Sequence, residues 1–292
     1  MEVDSTGSLQ ADSTGSLQVI VAEKCGFCPG VKNAIKMAQE VLKHEKDVYS
    51  LGPIIHNRDV VDKLAQAGLK TVDEVEQITS GTVIIRSHGA APAQIEKLKK
   101  KSVKIVDATC VLVKRVQQIA KELFENGYKV VIVGDKNHPE VQAVVGCAEG
   151  VIVIADEADL HRLPRNGKLG IVGQTTQSPE HFSKMLCAIG QYGFSELKVI
   201  NTLCREAIKR QESAVQVCKQ VDIMFVLGGL ESANTRQLAE LCKKYNNQTF
   251  HLQNWNEFDR KLLFGKKTAG VTAGASTPEW IITEFVENLK KF

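Results

Sequence analysis

The sequence lacks several features that would place it in common functional classes. No apolar run is long enough to cross a bilayer, and no basic tract or aromatic-rich run indicates nucleic-acid binding. The net charge is only +3, a balance that also suits a small anionic substrate. There is no GxxxxGK[ST] motif and no convincing G-x-G-x-x-G motif, so the common nucleotide-binding loops are not indicated. We therefore predict neither a nucleic-acid partner nor a membrane association.

The N-terminal residues carry acidic side chains and no apolar segment typical of secretory signal peptides. The string DSTGSLQ occurs twice, at 4–10 and at 12–18. We interpret residues 1–18 as a disordered tandem tail, a cloning remnant or a duplication outside the fold. The expected location is the cytoplasm, where the eight cysteines would be reduced thiols rather than disulfides.

Strand-like apolar runs alternate with amphipathic helical patterns along the rest of the chain. The runs are VIVA, DVYSLG, TVIIRS, VKIVDA, KVVIVGD, VIVIA, KLGIVG, LKVIN, DIMFVLGG and TAGVTAG. This alternation predicts an α/β fold with parallel sheets.

The pattern repeats three times. A cysteine opens a helix at Cys28, Cys110 and Cys204, and each helix precedes a strand that ends in glycine and a polar cluster. A second cluster with small or hydroxyl residues follows in each repeat: SHGAAP, QTTQSP and GASTPE. We predict three similar α/β domains, at 19–110, 111–204 and 205–292. Residues 19–24 are predicted as a strand of the first domain, and the alternative is that this strand packs with the third domain.

Ligands of open parallel sheets bind beyond the carboxyl ends of the strands. If the three domains turn those ends inward, the clusters meet in one central cavity that contains a cysteine from each domain. The alternative is a set of unrelated β–α turns that point in different directions. The triple coincidence favours convergence.

Two metal sites fit three distant cysteines. Zinc is satisfied by three cysteines and a histidine, whereas an iron–sulfur cubane held by three thiolates keeps one iron open. Structural zinc sites usually use closely spaced pairs, and Cys25/Cys28 is the only C-x-x-C in the chain. Ligands from three domains favour the cluster, and the alternative is a zinc-stabilised binding protein for a phosphorylated small molecule. The remaining cysteines are expected to be small buried side chains: Cys147, Cys187, Cys218 and Cys242.

Three histidines follow strands at comparable positions, at His56, His88 and His138. They predict a ring of donors that holds a diphosphate together with hydroxyl and amide groups near helix starts, at Ser232, Asn234 and Ser276. Glu140, two residues after His138, fits a proton donor and fits equally well an N-terminal helix residue favoured by the helix dipole. The other histidines are expected to be solvated: His44, His161, His181 and His251.

The motifs GFCPGVKNAI, LGPIIHNRDVV, SHGAAP, VDATC, NHPEV, GQTTQS and TAGAS occur in this order. From about residue 19 to the C-terminus, the chain closely resembles the 4-hydroxy-3-methylbut-2-enyl diphosphate reductase (LytB/IspH) family. The resemblance implies three α/β domains around a central [4Fe-4S] cluster. It also implies reductive dehydroxylation of 4-hydroxy-3-methylbut-2-enyl diphosphate to isopentenyl and dimethylallyl diphosphate, the last step of the methylerythritol phosphate route to isoprenoids.

The resemblance also implies a role for each matching residue. The cluster ligands are Cys28, Cys110 and Cys204, and Cys25 is an extra cysteine. The catalytic group is Glu140, Thr175 and His138. The substrate-binding group is His56, His88, His138, Thr175, Ser232, Ala233, Asn234 and Ser276. Electrons are expected from a ferredoxin or a flavodoxin, since the chain carries no flavin or nicotinamide motif.

Three positions depart from the family pattern. Ala233 replaces a second serine, Val111 replaces a proline after the second ligand, and Ala207 replaces a threonine after the third ligand. These changes predict a weaker diphosphate contact, a less stiff helix start and one lost hydrogen bond near the cluster. A degenerate, non-catalytic relative is a further alternative, but the intact ligands, histidines and Glu140 argue against it.

Overall fold

A computed structural model describes residues 16–292 of the chain. The strands of this part are β1 (Gln18–Val21), β2 (Val48–Leu51), β3 (Leu69–Val72), β4 (Gly81–Ile85), β5 (Val103–Asp107), β6 (Lys129–Val133), β7 (Ile152–Ile154), β8 (Lys168–Gly173), β9 (Glu196–Ile200), β10 (Ile223–Leu227), β11 (Thr249–Leu252) and β12 (Thr268–Ala273). Its α-helices are α1 (Pro29–His44), α2 (Arg58–Gln66), α3 (Pro92–Lys99), α4 (Val111–Glu125), α5 (Pro139–Val145), α6 (Pro179–Gly190), α7 (Arg205–Cys218), α8 (Ala233–Tyr245) and α9 (Glu279–Leu289). No helix in this part of the chain is both long enough and apolar enough to span a membrane.

The strands form three sheets of four parallel strands each. The orders are β3-β2-β4-β5, β7-β6-β8-β9 and β11-β10-β12-β1, so all three sheets share one topology. The predicted class, an α/β fold with three parallel sheets, is confirmed.

The first strand of the chain belongs to the last sheet. Gln18 to Val21 of β1 pair with Thr268 to Val271 of β12, and β1 takes the edge position that β5 and β9 occupy in the other two sheets. Each cysteine of the predicted metal site therefore follows an edge strand: Cys28 follows β1, Cys110 follows β5 and Cys204 follows β9. The next helix of the chain begins at the residue after each cysteine.

The central strands are continuous apolar runs because both of their faces are covered by helices. All residues of β10 are buried, as are the last four of β4 and of β6. Separate apolar clusters pack on the two faces of each sheet. The parallel crossovers direct the carboxyl ends of the strands, with their polar turns, toward one central region.

The structure differs from the sequence interpretation at the end of the predicted tail. Leu17 is buried in the apolar cluster of the third sheet, and the Gln18 N–H donates to the Lys267 carbonyl at 2.9 Å. These two residues belong to the fold because β12 offers an unpaired edge to β1. The first copy of the tandem, 4–10, lies outside the described residues, as does the greater part of the second.

Three individual predictions are also wrong. Cys187 is exposed and Cys147 is half-buried, whereas Cys218 and Cys242 are buried as expected. Cys187 lies on the solvent side of α6. The apolar residues around it in the sequence suggested a buried position instead. His251 is not solvated, because it lies in β11, half-buried, with Nε2 at 2.9 Å from the Gly228 carbonyl.

Candidate active site

One cavity collects every residue that the sequence singled out for the site. Its volume is about 100 Å³, and the turns and helices that follow the strands of all three sheets line it. The sequence-predicted members of its lining are Cys28, His56, His88, Cys110, His138, Glu140, Thr175, Cys204, Ser232, Ala233, Asn234 and Ser276.

Equivalent backbone bonds position the three lining cysteines. The N–H of Cys28 donates to the Ala275 carbonyl at 3.2 Å, that of Cys110 to Ser87 at 2.9 Å, and that of Cys204 to Thr175 at 2.7 Å. The three acceptors lie in the small-residue clusters GASTPE, SHGAAP and QTTQSP, so each cluster holds the cysteine that follows its sheet. The repeat seen in the sequence therefore has a direct geometric role.

The cysteines stand at helix N-termini, a position that favours a thiolate. Cys28 caps α1, and its Sγ accepts from the Val31 N–H at 3.5 Å. Burial raises the pKa of the Cys110 thiol, and the backbone N–H groups of Leu112 and Val113 oppose that rise. Burial likewise raises the pKa of Cys204 against the N–H groups at the start of α7.

The thiol arrangement fits a shared metal group. A Cβ at Gly30 would lie 2.9 Å from the Cys110 Sγ and 3.9 Å from the Cys28 Sγ, so only glycine lets these two sulfurs face the same space. Cys25 does not line the cavity, because it packs against the apolar cluster of the third sheet. The C-x-x-C pair is thus divided between two environments, which removes the main support for a zinc site built on it.

The three predicted histidines form a compact cluster. Their ring centroids are separated by 4.6 Å (His56–His88), 5.5 Å (His88–His138) and 6.1 Å (His56–His138). Burial lowers the pKa of all three, that of His138 to about 4, and neighbouring imidazoles add to the effect at His88 and His138. The imidazoles are therefore neutral near pH 7 when nothing negative is bound.

Two of the rings have assignable atoms for a ligand. The Nδ1 of His138 accepts from the Glu140 N–H at 3.2 Å, so a neutral His138 carries its proton on Nε2. The Nδ1 of His88 is buried and has no hydrogen-bond partner in the described part of the chain. Buried polar groups are rarely left unpaired, and the unpaired Nδ1 of His88 is typical of a site that binds a polar ligand.

A buried carboxyl group lies beside the histidines. Glu140 is 2% exposed, and Thr175 donates to both of its oxygens: its N–H to Oε1 and its hydroxyl to Oε2, each at 2.7 Å. Burial raises the pKa of Glu140, while the two Thr175 bonds oppose the rise. A carboxyl held in this way keeps its proton to higher pH than a solvated one and suits a proton donor.

The third sheet contributes the hydroxyl and amide groups. Ser232 caps α8, where its Oγ accepts from the Thr235 N–H at 3.3 Å and from the Thr235 hydroxyl at 3.0 Å. The hydroxyl proton of Ser232 remains available to a ligand. Ser276 instead donates to the His56 carbonyl at 3.0 Å, which ties the third sheet to the first and occupies the hydroxyl that was expected to contact a diphosphate.

Three further polar residues of the lining escaped the sequence analysis: Ser87, Thr176 and Arg210. Ser87 and Thr176 lie within quoted motifs, so their positions could have been found by extending each cluster by one residue. Arg210 carries no such signal, because an arginine within a helical pattern ordinarily reads as a surface residue.

Two of the three departures from the family pattern lie in the cavity wall. Ala207 and Ala233 are buried there, whereas Val111 is 75% exposed at the first position of α4. The alanines bring no hydroxyl to the cavity, and Val111 affects only the outside of the helix start.

Fold and site together define an α/β protein with three sheets. In each sheet, the connection from the edge strand to the next helix (a sheet junction) brings one cysteine to a cavity rich in imidazole and hydroxyl groups. The family model described as LytB protein matches residues 19–290. This chain belongs to the LytB family, and the family resemblance inferred from the motifs is confirmed.

Relatives and solved structures match over nearly the full chain. The protein named 4-hydroxy-3-methylbut-2-enyl diphosphate reductase in Pelobacter propionicus is 46% identical over 268 residues, 91% of this chain and 95% of that protein. Its namesake in Geobacter sulfurreducens is 42% identical over 276 residues, 94% of this chain and 98% of that protein.

Two structures of reductases share the fold. A structure of (E)-4-hydroxy-3-methyl-but-2-enyl diphosphate reductase, described as the terminal enzyme of the non-mevalonate pathway, is 40% identical with a TM-score of 0.70, covering 94% of this chain and 100% of its own. The E-1-hydroxy-2-methyl-but-2-enyl-4-diphosphate reductase of Plasmodium falciparum is 27% identical with a TM-score of 0.89, covering 94% and 88%. The family is thus one of oxidoreductases, as the motifs predicted.

Proposed function

We propose that this chain is a 4-hydroxy-3-methylbut-2-enyl diphosphate reductase. The substrate, two electrons and two protons give isopentenyl or dimethylallyl diphosphate and water. One observation carries the proposal: the cavity that holds a cysteine from each of the three sheet junctions also holds the histidine cluster and the Glu140–Thr175 pair.

Cys28, Cys110 and Cys204 are the residues that would hold a [4Fe-4S] cluster. Three thiols at helix N-termini, around a cavity that a side chain at position 30 would obstruct, suit an anionic metal group. The cluster, when bound, supplies electrons one at a time and an iron that no cysteine holds.

The histidine cluster and the third-sheet residues bind the diphosphate. Neutral imidazoles at His56, His88 and His138 donate N–H groups, and the negative charge of the ligand raises their pKa values and favours proton uptake. Ser232 and Asn234 contribute a hydroxyl and an amide near the N-terminus of α8, where anions are favoured. Ser276 joins them when its bond to the His56 carbonyl is exchanged, and Ala233 offers only its backbone N–H.

Glu140 supplies the proton for the departing hydroxyl. Its burial keeps the carboxyl protonated to higher pH than usual, and Thr175 fixes both oxygens so that the proton leaves from a defined place. His138 lies next to it through the Glu140 N–H bond and completes the catalytic group.

The electron donor is a small one-electron carrier, either a ferredoxin or a flavodoxin. The support is the chemistry: two single electrons are needed, and the chain has no flavin or nicotinamide motif. The cytoplasm is the compartment in which such carriers and reduced cysteines coexist, and it remains our predicted location.

Anaerobic purification followed by iron and sulfide analysis tests the proposal. We expect a brown protein with about four irons and four sulfides per chain that converts the diphosphate substrate when reduced methyl viologen supplies electrons. A colourless protein with one zinc and no sulfide would identify the zinc-binding alternative. A loaded protein without turnover would instead identify a degenerate relative.

A further inference from the structure

Arg210 is a buried cation in the wall of the cavity. It lies in α7, six residues after Cys204, with 5% of its surface exposed. Its Nη2 donates to the Gly26 carbonyl at 2.7 Å, and its Nη1 to the Glu206 carbonyl at 3.4 Å. Its Nε is buried and has no hydrogen-bond partner within residues 16–292.

No carboxylate of the described residues forms a salt bridge with this guanidinium. The acidic side chain one turn earlier on α7, that of Glu206, instead lies 4.0 Å from Lys209. A guanidinium stays protonated in proteins, and a buried charge without a partner is costly. Burial lowers the pKa of Arg210, and Cys28, Cys25 and Cys204 in their ionised forms, followed by Glu206, oppose this shift.

Arg210 lines the same cavity as Cys28 and Cys204, and its Nη2 bonds the carbonyl two residues before Cys28, so an anionic group held by these thiols would supply its counter-charge. Arg210 is the one lysine or arginine among the cavity-lining residues in the described part of the chain. A thiolate-bound cluster is anionic and gains a further negative charge when it takes up an electron. A nearby cation in a poorly solvated site stabilises the reduced form more than the oxidised form.

We propose that Arg210 is the counter-ion of the metal centre, a positioning residue that raises the reduction potential of the cluster and helps it to accept electrons. This inference rests on the proposed function, because it requires a cluster at Cys28, Cys110 and Cys204. It assigns to the Arg210 charge a role separate from its hydrogen bond to the Gly26 carbonyl, which fixes the loop before Cys28.

Three variants separate the charge from the hydrogen bond. Arg210→Gln removes the charge and keeps an amide that can donate to the Gly26 carbonyl, whereas Arg210→Lys keeps the charge and loses the planar fork. Lys209→Gln is the matched control, since it removes the neighbouring cation, which is exposed on the same helix. The readout is the midpoint potential of the cluster in the whole protein, from a dithionite titration followed by electron paramagnetic resonance.

We expect Arg210→Gln to lower the equilibrium constant for one-electron uptake about tenfold, a fall of about 59 mV in midpoint potential. Arg210→Lys should keep most of the starting potential, and Lys209→Gln should keep all of it. Iron and sulfide contents are measured on each variant, so that a changed potential refers to an intact cluster.

An unchanged potential in Arg210→Gln would overturn the proposal. An equal fall in Arg210→Gln and Arg210→Lys would also overturn it, since a variant that keeps the charge would then behave like one that removes it. If neither variant folds and holds a cluster, the role of the guanidinium is to hold the loop before Cys28 in place, and the proposal is wrong. Absence of iron and sulfide from the unsubstituted protein would instead refute the proposed function.

Discussion

Thr175 connects Glu140 to Cys204. The Thr175 N–H and hydroxyl each donate to one oxygen of the Glu140 carboxyl group at 2.7 Å, and the Thr175 carbonyl accepts the Cys204 N–H at 2.7 Å. The group that would release a proton and the backbone of a proposed metal ligand are thus held by one residue. Their relative position follows from a single turn of chain after β8.

Removing the proton from Glu140 should remove most of the activity. We expect Glu140→Gln to reduce kcat by about 10²-fold or more, the usual contribution of a general acid, while iron and sulfide contents stay unchanged. The matched control is Glu180→Gln, because Glu180 also follows a proline at the start of a helix but is exposed. Full activity in Glu140→Gln would refute the assigned role.

Weakening the Thr175 contact should change the pH profile. The Thr175 bonds lower the pKa of Glu140 against the effect of burial, so Thr175→Val should raise that pKa further. Because the proposed acid acts in its protonated form, the alkaline limb of the kcat profile should move to higher pH. Thr175→Ser keeps the hydroxyl and should restore the original limb; a limb unmoved in Thr175→Val would contradict the assignment.

The histidine cluster should make stability fall in acid. The pKa of His138 lies at about 4 in the folded chain and near 6.5 when unfolded, so the unfolded state binds more protons below pH 6.5. Its contribution is present above that pH and is lost as the pH falls to 4, a change of about 3 kcal/mol.

Urea unfolding of the metal-free protein at several pH values measures this slope. His138→Asn, which can still cap α5, should flatten it, whereas His161→Asn at an exposed site should not. An equal slope in His138→Asn would show that other groups dominate the acid response.

The two cysteines of the C-x-x-C pair should behave differently. Cys28→Ser should lose the cluster, because this thiol lines the cavity and caps α1. Cys25→Ser should keep the iron and sulfide of the starting protein, since Cys25 packs against the third-sheet core. Loss of metal in Cys25→Ser would revive the zinc alternative.

Ala233 offers a gain-of-contact test. Ala233→Ser adds a hydroxyl at the start of α8 inside the cavity, and a hydrogen bond to a charged group contributes about 1.5–3 kcal/mol. We expect KM for the diphosphate substrate to fall about tenfold with kcat nearly unchanged. Ala233→Val adds volume without a donor and should raise KM; a lower KM in both variants would attribute the effect to packing.

The central strands were predictable because burial on both faces gives continuous apolar runs. The strands β3 (LKTV) and β11 (TFHL) were missed, since each is a four-residue edge strand and is only partly buried. Their apolar signal is correspondingly short. Their strand conformation is defined by backbone pairing with the neighbouring strands, β2 for β3 and β10 for β11.

The convergence of the candidate site residues on one cavity was predictable where the motif and the chemistry agree, as at Cys110 and His138. The burial of Arg210 was not predictable, because it depends on the Gly26 carbonyl, which lies 184 positions away in the sequence. The use of Ser276 against the His56 carbonyl was hidden for the same reason. Contacts between sheets determine both, and no local pattern encodes them.

The pairing of β1 with β12 also sets the order of events during synthesis. The ribosome makes β1 first, yet its partner leaves the ribosome almost last, and Cys28 follows β1 directly. Until then, the first cysteine has no backbone acceptor at Ala275. A cluster held by Cys28, Cys110 and Cys204 would therefore be completed only after β12 and Ala275 have been made.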